Sequence, residues 1–252
     1  MTPPAHPDDR QATSFGAVAD DYDRVRPGYP AEVVRWALGA RPLQTVDLGA
    51  GTGALTRVLL AEGHSVVAVD PDEQMLARLR ARSPGVTALV GTGEALPLPD
   101  ASADAVLVAQ AWHWMDPGAA SAELVRVVRP GGAAVLLWTT RDPDDPLTAA
   151  VRQAVVRHAP DLAARAQADG SPRPARVPDA RFRPDGTTRA DTTAVLSVAD
   201  LLTLVGTWSY VALSPARDAV LAEVAQAARA AVGADGTVRL SQHVEVHRFR
   251  RS

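Results

Sequence analysis

The strongest constraint on the fold is an alternation that runs from Thr45 to Thr140. Short apolar runs (Thr45–Gly51, Ser65–Pro71, Val86–Gly91, Ala103–Gln110, Ala133–Thr140) are separated by segments with helical spacing (Gly53–Gly63, Asp72–Ser83, Ala119–Gly132). A strand apolar at nearly every position has both faces buried, and helices between such strands supply the crossovers of a parallel sheet. This predicts an α/β protein with a Rossmann-like, seven-stranded, mostly parallel sheet and helices on both faces. An earlier helix is expected over Ala31–Leu38, where Val33, Val34, Trp36 and Ala37 recur at helical spacing. After Thr140 the alternation stops. A helix follows Pro146, Asp161–Pro184 reads as an irregular insertion, and TRADTTAVLS (188–197) reads as a strand. Two helices follow, and alternation of Val238, Leu240, Val244 and Val246 predicts a last, antiparallel strand. The expected organisation is one domain over 1–252: an N-terminal lid segment (1–30), a ligand-binding core (31–140), a helical cap insertion (141–194), then C-terminal helices and the last strand (195–252).

VDLGAGTGALT places Gly49, Gly51 and Gly53 between the first strand and its helix. Glycines there permit a tight turn and close approach of a ligand to the backbone, and the free N–H groups of the helix start can receive it. GAGTGA also satisfies the dinucleotide pattern G-x-G-x-x-G/A, which keeps an NAD-linked oxidoreductase open. Asp70, at the end of the second strand, is an acceptor-only group suited to both hydroxyls of an adenosine ribose. The plain alternative is that Asp70 caps the next helix, with Pro71 in its first turn.

The order of motifs resembles the class I S-adenosylmethionine-dependent methyltransferases, specifically the small-molecule group with a type 11 core, from about Phe15 to Trp138. VDLGAGTG is similar to that family's first motif. The resemblance implies S-adenosylmethionine as cofactor, with Asp47 near its amino-acid end, Asp70 on the ribose, and Met75, after Pro71, against the adenine. VGTGEALPLPDASADAVLVAQAWHW resembles the third and fourth motifs, and VVRPGG the turn before the fifth strand. Many relatives carry an Asp for the adenine amino group where this chain has Thr92, so Gly93 and Glu94 are the candidates to hold the adenine instead. Tyr22 and Arg26 belong to a segment resembling the family's lid, and Arg26 is suited to pair with the cofactor carboxylate.

Ligands of open α/β sheets bind outside the carboxyl ends of the strands. The fourth strand ends there in Gln110-Ala111-Trp112-His113-Trp114-Met115-Asp116. Two tryptophans flanking a histidine predict a pocket wall, with Gln110 at the cofactor and His113 either as a general base or as a residue that only orients a neighbour or fills the wall. The implied reaction is methyl transfer to an oxygen, nitrogen or carbon of a small-molecule acceptor. A non-methylating S-adenosylmethionine-binding homologue is the alternative to that, and an NAD-linked oxidoreductase a more distant one. The chain has 252 residues and no cysteine, which excludes disulfides and thiolate chemistry. No metal site is expected: Asp142, Asp144 and Asp145 read as a solvated acidic turn, and His243 and His247 as surface residues. A net charge of −3 argues against a nucleic-acid or membrane partner. The polar N-terminus lacks the apolar core of a secretory signal. A cytoplasmic monomer or homodimer is expected.

Overall fold

A computed structural model describes residues 28–160, 177–212 and 214–252, except for the side chains of 209 and 210. The elements are α1 (Ala31–Leu38), β1 (Gln44–Leu48), α2 (Ala54–Ala61), β2 (Ser65–Asp70), α3 (Glu73–Arg82), β3 (Thr87–Val90), β4 (Ala103–Ala109), α4 (Pro117–Val127), β5 (Val128–Arg141), α5 (Pro146–His158), β6 (Phe182–Leu196), α6 (Val198–Gly206), α7 (Ser209–Ala212), α8 (Arg217–Ala230) and β7 (Val238–Arg251). They build a seven-stranded sheet in the order β3-β2-β1-β4-β5-β7-β6. The pairs β1–β2, β2–β3, β1–β4 and β4–β5 are parallel, and β7 runs antiparallel between β5 and β6. Six strands therefore share one direction and the last strand opposes them, as the sequence predicts.

Two layers of helix sandwich this sheet. On one face, Val33, Val34 and Ala37 of α1 and Leu55 and Leu59 of α2 pack on Ala105, Leu107, Val135, Leu137, Val244 and Val246. Leu76 and Leu79 of α3 cover Ala68 of β2. On the other face, Leu124, Val125 and Val127 of α4 pack on Val46, Leu48, Val106, Val108, Leu136 and Trp138. Nearly all of these side chains are excluded from water, so the parallel strands are apolar on both faces, and each buried Val or Leu contributes about 1.5–3 kcal/mol.

A further apolar cluster forms beyond the carboxyl end of β5. The β6–β7 pair continues past Arg141, which registers with Gln242, and Ala194, Leu196, Val238 and Leu240 on that extension carry α5, α6 and α8. The expected cap at 141–194 is corrected here. Residues 182–194 lie in the sheet, because β6 starts at Phe182 rather than at Thr188, and the helices over the extension come from both α5 and the C-terminal segment. The strand continues through Pro184 and Gly186 by a register shift against β7 between Pro184 and Thr187. Residues 161–176 lie outside the described residues. No described helix is long and apolar enough to cross a membrane.

His64, ahead of β2, is buried, and neither ring nitrogen has a hydrogen-bond partner among the described residues. Burial lowers its pKa below the ordinary 6.5. The folded state thus binds the proton less tightly than the unfolded chain. Stability from this group is present above the unfolded pKa and is lost as pH falls below about 6.5. Replacing His64→Leu is expected to flatten the decline of melting temperature between pH 7 and pH 5. A variant curve parallel to that of the parent would show that His64 does not carry the dependence.

Candidate active site

The carboxyl ends of β1, β2 and β4 lie side by side: Leu48 registers with Val69 and with Val108. The glycine turn leaves β1 at this edge. Gly49 and Ala50 donate their N–H groups to the Val69 carbonyl at 2.8 and 3.1 Å, and the Gly51 N–H donates to Asp70 Oδ2 at 2.8 Å. Gly49, Gly51 and Gly53 all have positive φ. Their side-chain space differs. A Cβ on Gly49 would collide with the Cβ of Ala111, and one on Gly53 would come within 2.8 Å of Leu79 Cγ, whereas one on Gly51 would meet nothing within 4 Å among the described residues. Gly49 and Gly53 are therefore packed against protein, and Gly51 faces open space at the strand ends.

Asp70 is buried, and its Oδ1 accepts from the Asp72 N–H at 2.9 Å while Oδ2 holds Gly51. Burial raises its pKa, and the two backbone donors partly offset this. The capping alternative is corrected: Asp72, not Asp70, caps α3, accepting from Gln74 and Met75. Pro71 precedes that cap and is exposed, so it is not in the first turn of the helix. Each Asp70 oxygen accepts one bond from the backbone and keeps capacity for another. Met75 is buried at the start of α3.

Asp47 lies beneath the turn, 1% exposed. Thr56 of α2 donates to its Oδ2 at 2.6 Å, and Oδ1 has no partner among the described residues. Burial pushes its pKa up to about 6, against the opposing pull of the Thr56 hydrogen bond and with a smaller push from Asp70. Thr56 is a site residue that sequence reasoning missed. Its only signal is its place in the first turn of the helix following the glycines.

Beyond β3, Gly93 is packed so closely on Met115 that a Cβ would collide with the sulfur, and Glu94 Oε1 accepts from the Asp116 N–H at 2.8 Å. Glu94 thus joins this loop to the start of α4. Gln110 adopts φ 57°, an uncommon conformation for a residue with a side chain. Its N–H donates to the Leu137 carbonyl and its Nε2 to the Thr139 carbonyl at 2.9 Å. This turn sets Ala111 under Gly49 and leads into a 3-10 turn over Trp112–Trp114. The expected symmetric wall around His113 is corrected. Trp112 is buried in the core with Val108 and Trp138, His113 is exposed, and Trp114, 37% exposed, places its ring 4.7 Å from the imidazole. Tyr22 and Arg26 lie outside the described residues.

Two other expectations are revised. Asp145 is buried and caps α5, accepting from Thr148, while Asp142 Oδ1 accepts from the Asp144 N–H. The acidic turn is thus partly consumed by backbone. His243 and His247 are half-buried on β7; His247 bonds Glu245 at 2.9 Å and Thr187 at 3.2 Å. Among the described residues no three His, Asp or Glu side chains are grouped as a metal site.

Strand order, glycine turn and the acid after β2 define an α/β protein with an open, acid-flanked turn at the carboxyl edge of its sheet. The family described as "Methyltransferase domain" matches residues 46–136. An uncharacterized methyltransferase of Mycobacterium tuberculosis (strain H37Rv) is 45% identical over 209 residues, covering 81% of this chain and 80% of the relative. A demethylmenaquinone methyltransferase of Renibacterium salmoninarum is 31% identical over 172 residues, 65% of this chain and 73% of the relative. A solved structure from Anaeromyxobacter dehalogenans, named as a type II methyltransferase, superposes with a TM-score of 0.68 at 30% identity, covering 89% of this chain and 97% of that one. The chain belongs to the class I S-adenosylmethionine-dependent methyltransferases.

Asp47 yields a prediction that needs no ligand. Its folded pKa of about 6 exceeds the ordinary 3.8, so the folded state holds this proton more tightly than the unfolded chain. That contribution is full below pH 3.8 and is lost as pH rises through 6, a difference of about 3 kcal/mol at most. Asp47→Asn keeps an acceptor for Thr56 and removes the charge. It is expected to raise the melting temperature at pH 8 by several degrees, and at pH 5 by about half as much. A lower melting temperature at pH 8 would contradict this account.

Proposed function

We propose that this enzyme transfers the methyl group of S-adenosylmethionine to an oxygen, nitrogen or carbon of a small-molecule acceptor at the carboxyl edge of β1, β2 and β4. The observation that carries the reading is the open space at Gly51, flanked by Asp70 and by the unpartnered Oδ1 of Asp47. The donor set fits the cofactor. Asp70 has acceptor capacity for the ribose hydroxyls, and Asp47 offers an unused anionic oxygen toward the amino-acid end. Met75, Gly93 and Glu94 line the adenine side, and Gln110 borders the sulfonium side. When bound, the cofactor supplies an electrophilic methyl. The protein's task is then to align the acceptor and exclude water. Tyr22 and Arg26 are assigned to the covering segment, and the helices α5, α6 and α8 to the acceptor side.

An NAD-linked oxidoreductase is disfavoured by the antiparallel β7 inserted between β5 and β6, because the dinucleotide-binding sheet carries its strands in parallel order. The relative named for demethylmenaquinone supports a small-molecule acceptor. His113 is assigned as the general base, because its turn is anchored under the glycine loop through Ala111.

Calorimetric titration with S-adenosylhomocysteine tests the cofactor site. Gly51→Ala adds a single Cβ that meets no atom of the described residues, at a backbone cost of about 1–2 kcal/mol. The variant is expected to remain folded and to lose at least tenfold in affinity. Unchanged affinity in a folded variant would remove Gly51 from the site.

His113→Ala is expected to lower kcat by about 10²–10⁴-fold for acceptors that must lose a proton, with cofactor affinity unchanged. Retained kcat with raised KM would make His113 part of the acceptor wall instead. Cofactor binding without turnover across a broad acceptor panel would favour the non-methylating alternative.

A further inference from the structure

The two edges of the sheet are built differently. At one edge β3 has 4 residues, and at the other β6 has 15 and pairs, among the described residues, with β7 alone. An edge strand presents a row of N–H and C=O groups that another strand can take up; shortness, proline, bulges and charge are the common means of preventing it. Shortness protects β3. In β6 the proline and the register shift fall before Thr187 and blunt only the first part of the edge. From Thr187 onward the pairing with β7 is regular.

This regular stretch opens with Thr187-Thr188-Arg189-Ala190-Asp191-Thr192-Thr193, which is complementary to its own reverse. Two copies can run antiparallel about a two-fold axis perpendicular to the sheet, with Ala190 beside Ala190. Thr187 then meets Thr193, Thr188 meets Thr192, and Arg189 meets Asp191, each pair occurring twice. Such an axis keeps every residue on its own face, so the opposed side chains share a side. Thr–Thr and opposite-charge pairs are favourable across strands, and like charges directly opposed are unfavourable. Moving the centre by one residue sets Arg189 against Arg189, or Asp191 against Asp191. Charge therefore selects one register. The structure leaves the charged pair available for it. Arg189 Nε donates to Asp191 Oδ1 at 2.9 Å on the same strand, and the two side chains are 56% and 79% exposed. Thr187 and Thr193 on that face are exposed too, and Val195, just beyond, is 55% exposed. Pairing would turn two separate ion pairs into a square of alternating charge, each Arg lying between its own Asp and that of the other copy.

We propose that β6 is a homodimer interface in which Thr187–Thr193 of two copies pair antiparallel, joining two seven-stranded sheets into one. The partner is thus a second copy of this chain. The interface is independent of the methyl-transfer reading. Strands β4, β5 and β7 separate β6 from β1, about 19 Å at one strand spacing per step, so the turn at Gly51 lies away from the joint. The paired stretch is short, which makes the dimer reversible and its dissociation constant micromolar rather than nanomolar.

Sedimentation velocity of the full chain over a range of concentrations tests this. The parent is expected to pass from monomer to dimer as concentration rises into the micromolar range. Asp191→Arg leaves Arg opposite Arg, and Arg189→Asp leaves Asp opposite Asp; each alone is expected to be monomeric, with a melting curve close to that of the parent monomer. Mixed in equal amounts, the two variants are expected to form a heterodimer, since every opposed pair is then of opposite charge. The double variant with both substitutions is expected to dimerise as the parent does. A parent that stays monomeric up to millimolar concentration, single variants that dimerise like the parent, or folded variants that do not associate when mixed would each overturn the proposal. Hydrogen exchange of the parent decides without any variant, should one fail to fold. Amides within 187–193 are expected to exchange more slowly at high concentration than at low, and equal exchange while a dimer is present would place the interface elsewhere and overturn the assignment to β6.

Discussion

The hydrogen bond from the Gly51 N–H to the Asp70 carboxylate sets the geometry on which the rest of the edge depends. It couples the turn after β1 to the end of β2 before any ligand is present, and the bonds from Gly49 and Ala50 to the Val69 carbonyl add to it. Asp70 in turn is aimed by the Asp72 N–H, and Asp72 caps α3. One short acidic stretch, Asp70-Pro71-Asp72, thus holds a loop, a carboxylate and a helix start. Open space at Gly51 is a consequence of this bracing rather than of a loose loop, because its neighbours Gly49 and Gly53 are packed against Ala111 and Leu79.

Asp47 shows the opposite economy. A carboxylate at 1% exposure with one oxygen unpartnered makes the unliganded fold less stable at neutral pH, and Thr56 relieves that only in part. Strained or under-satisfied groups gather where a protein binds something, and the left-handed Gln110 across the edge follows the same pattern. The two lie on neighbouring strands, β1 and the end of β4, at the edge where Gly51 is open. Two such costs, at Asp47 and Gln110, therefore lie at one edge, while the sheet beneath is apolar on both faces.

The five parallel strands and the turn after β1 were legible because each is a contiguous stretch whose own pattern states its role. An unbroken run such as Ala103–Ala109 requires burial on both faces, and three spaced glycines require a turn that other residues adopt with strain. Roles settled by partners distant in the chain were less legible. Asp70-Pro71-Asp72 offers two possible caps, and only the helix start at Glu73 selects between them. The stretch up to Pro184 reads as irregular, yet pairing with β7 starts the strand at Phe182 and carries it onward with a register shift between Pro184 and Thr187. Trp112 and Trp114 look equivalent around His113, but the 3-10 turn sends one into the core and leaves the other partly in solvent.

The same distinction separates the two halves of the site. Groups assigned to the cofactor come from strand ends and the turns directly after them, so one chain segment at a time reveals them. A polar row across β5, β7 and β6 exists only once antiparallel register brings Arg141, Gln242 and Thr192 to one level. Each of the three is unremarked in its own segment: an Arg at a strand end, a Gln and a Thr in alternating strands. Their common position between two apolar clusters is what sets them apart, because an apolar residue at that level would join the clusters into one continuous core. A break in an otherwise closed hydrophobic face is a feature that no local motif can announce. This is the physical reason that a reading of one segment at a time shows the turn after β1 and misses the level shared by β5, β6 and β7.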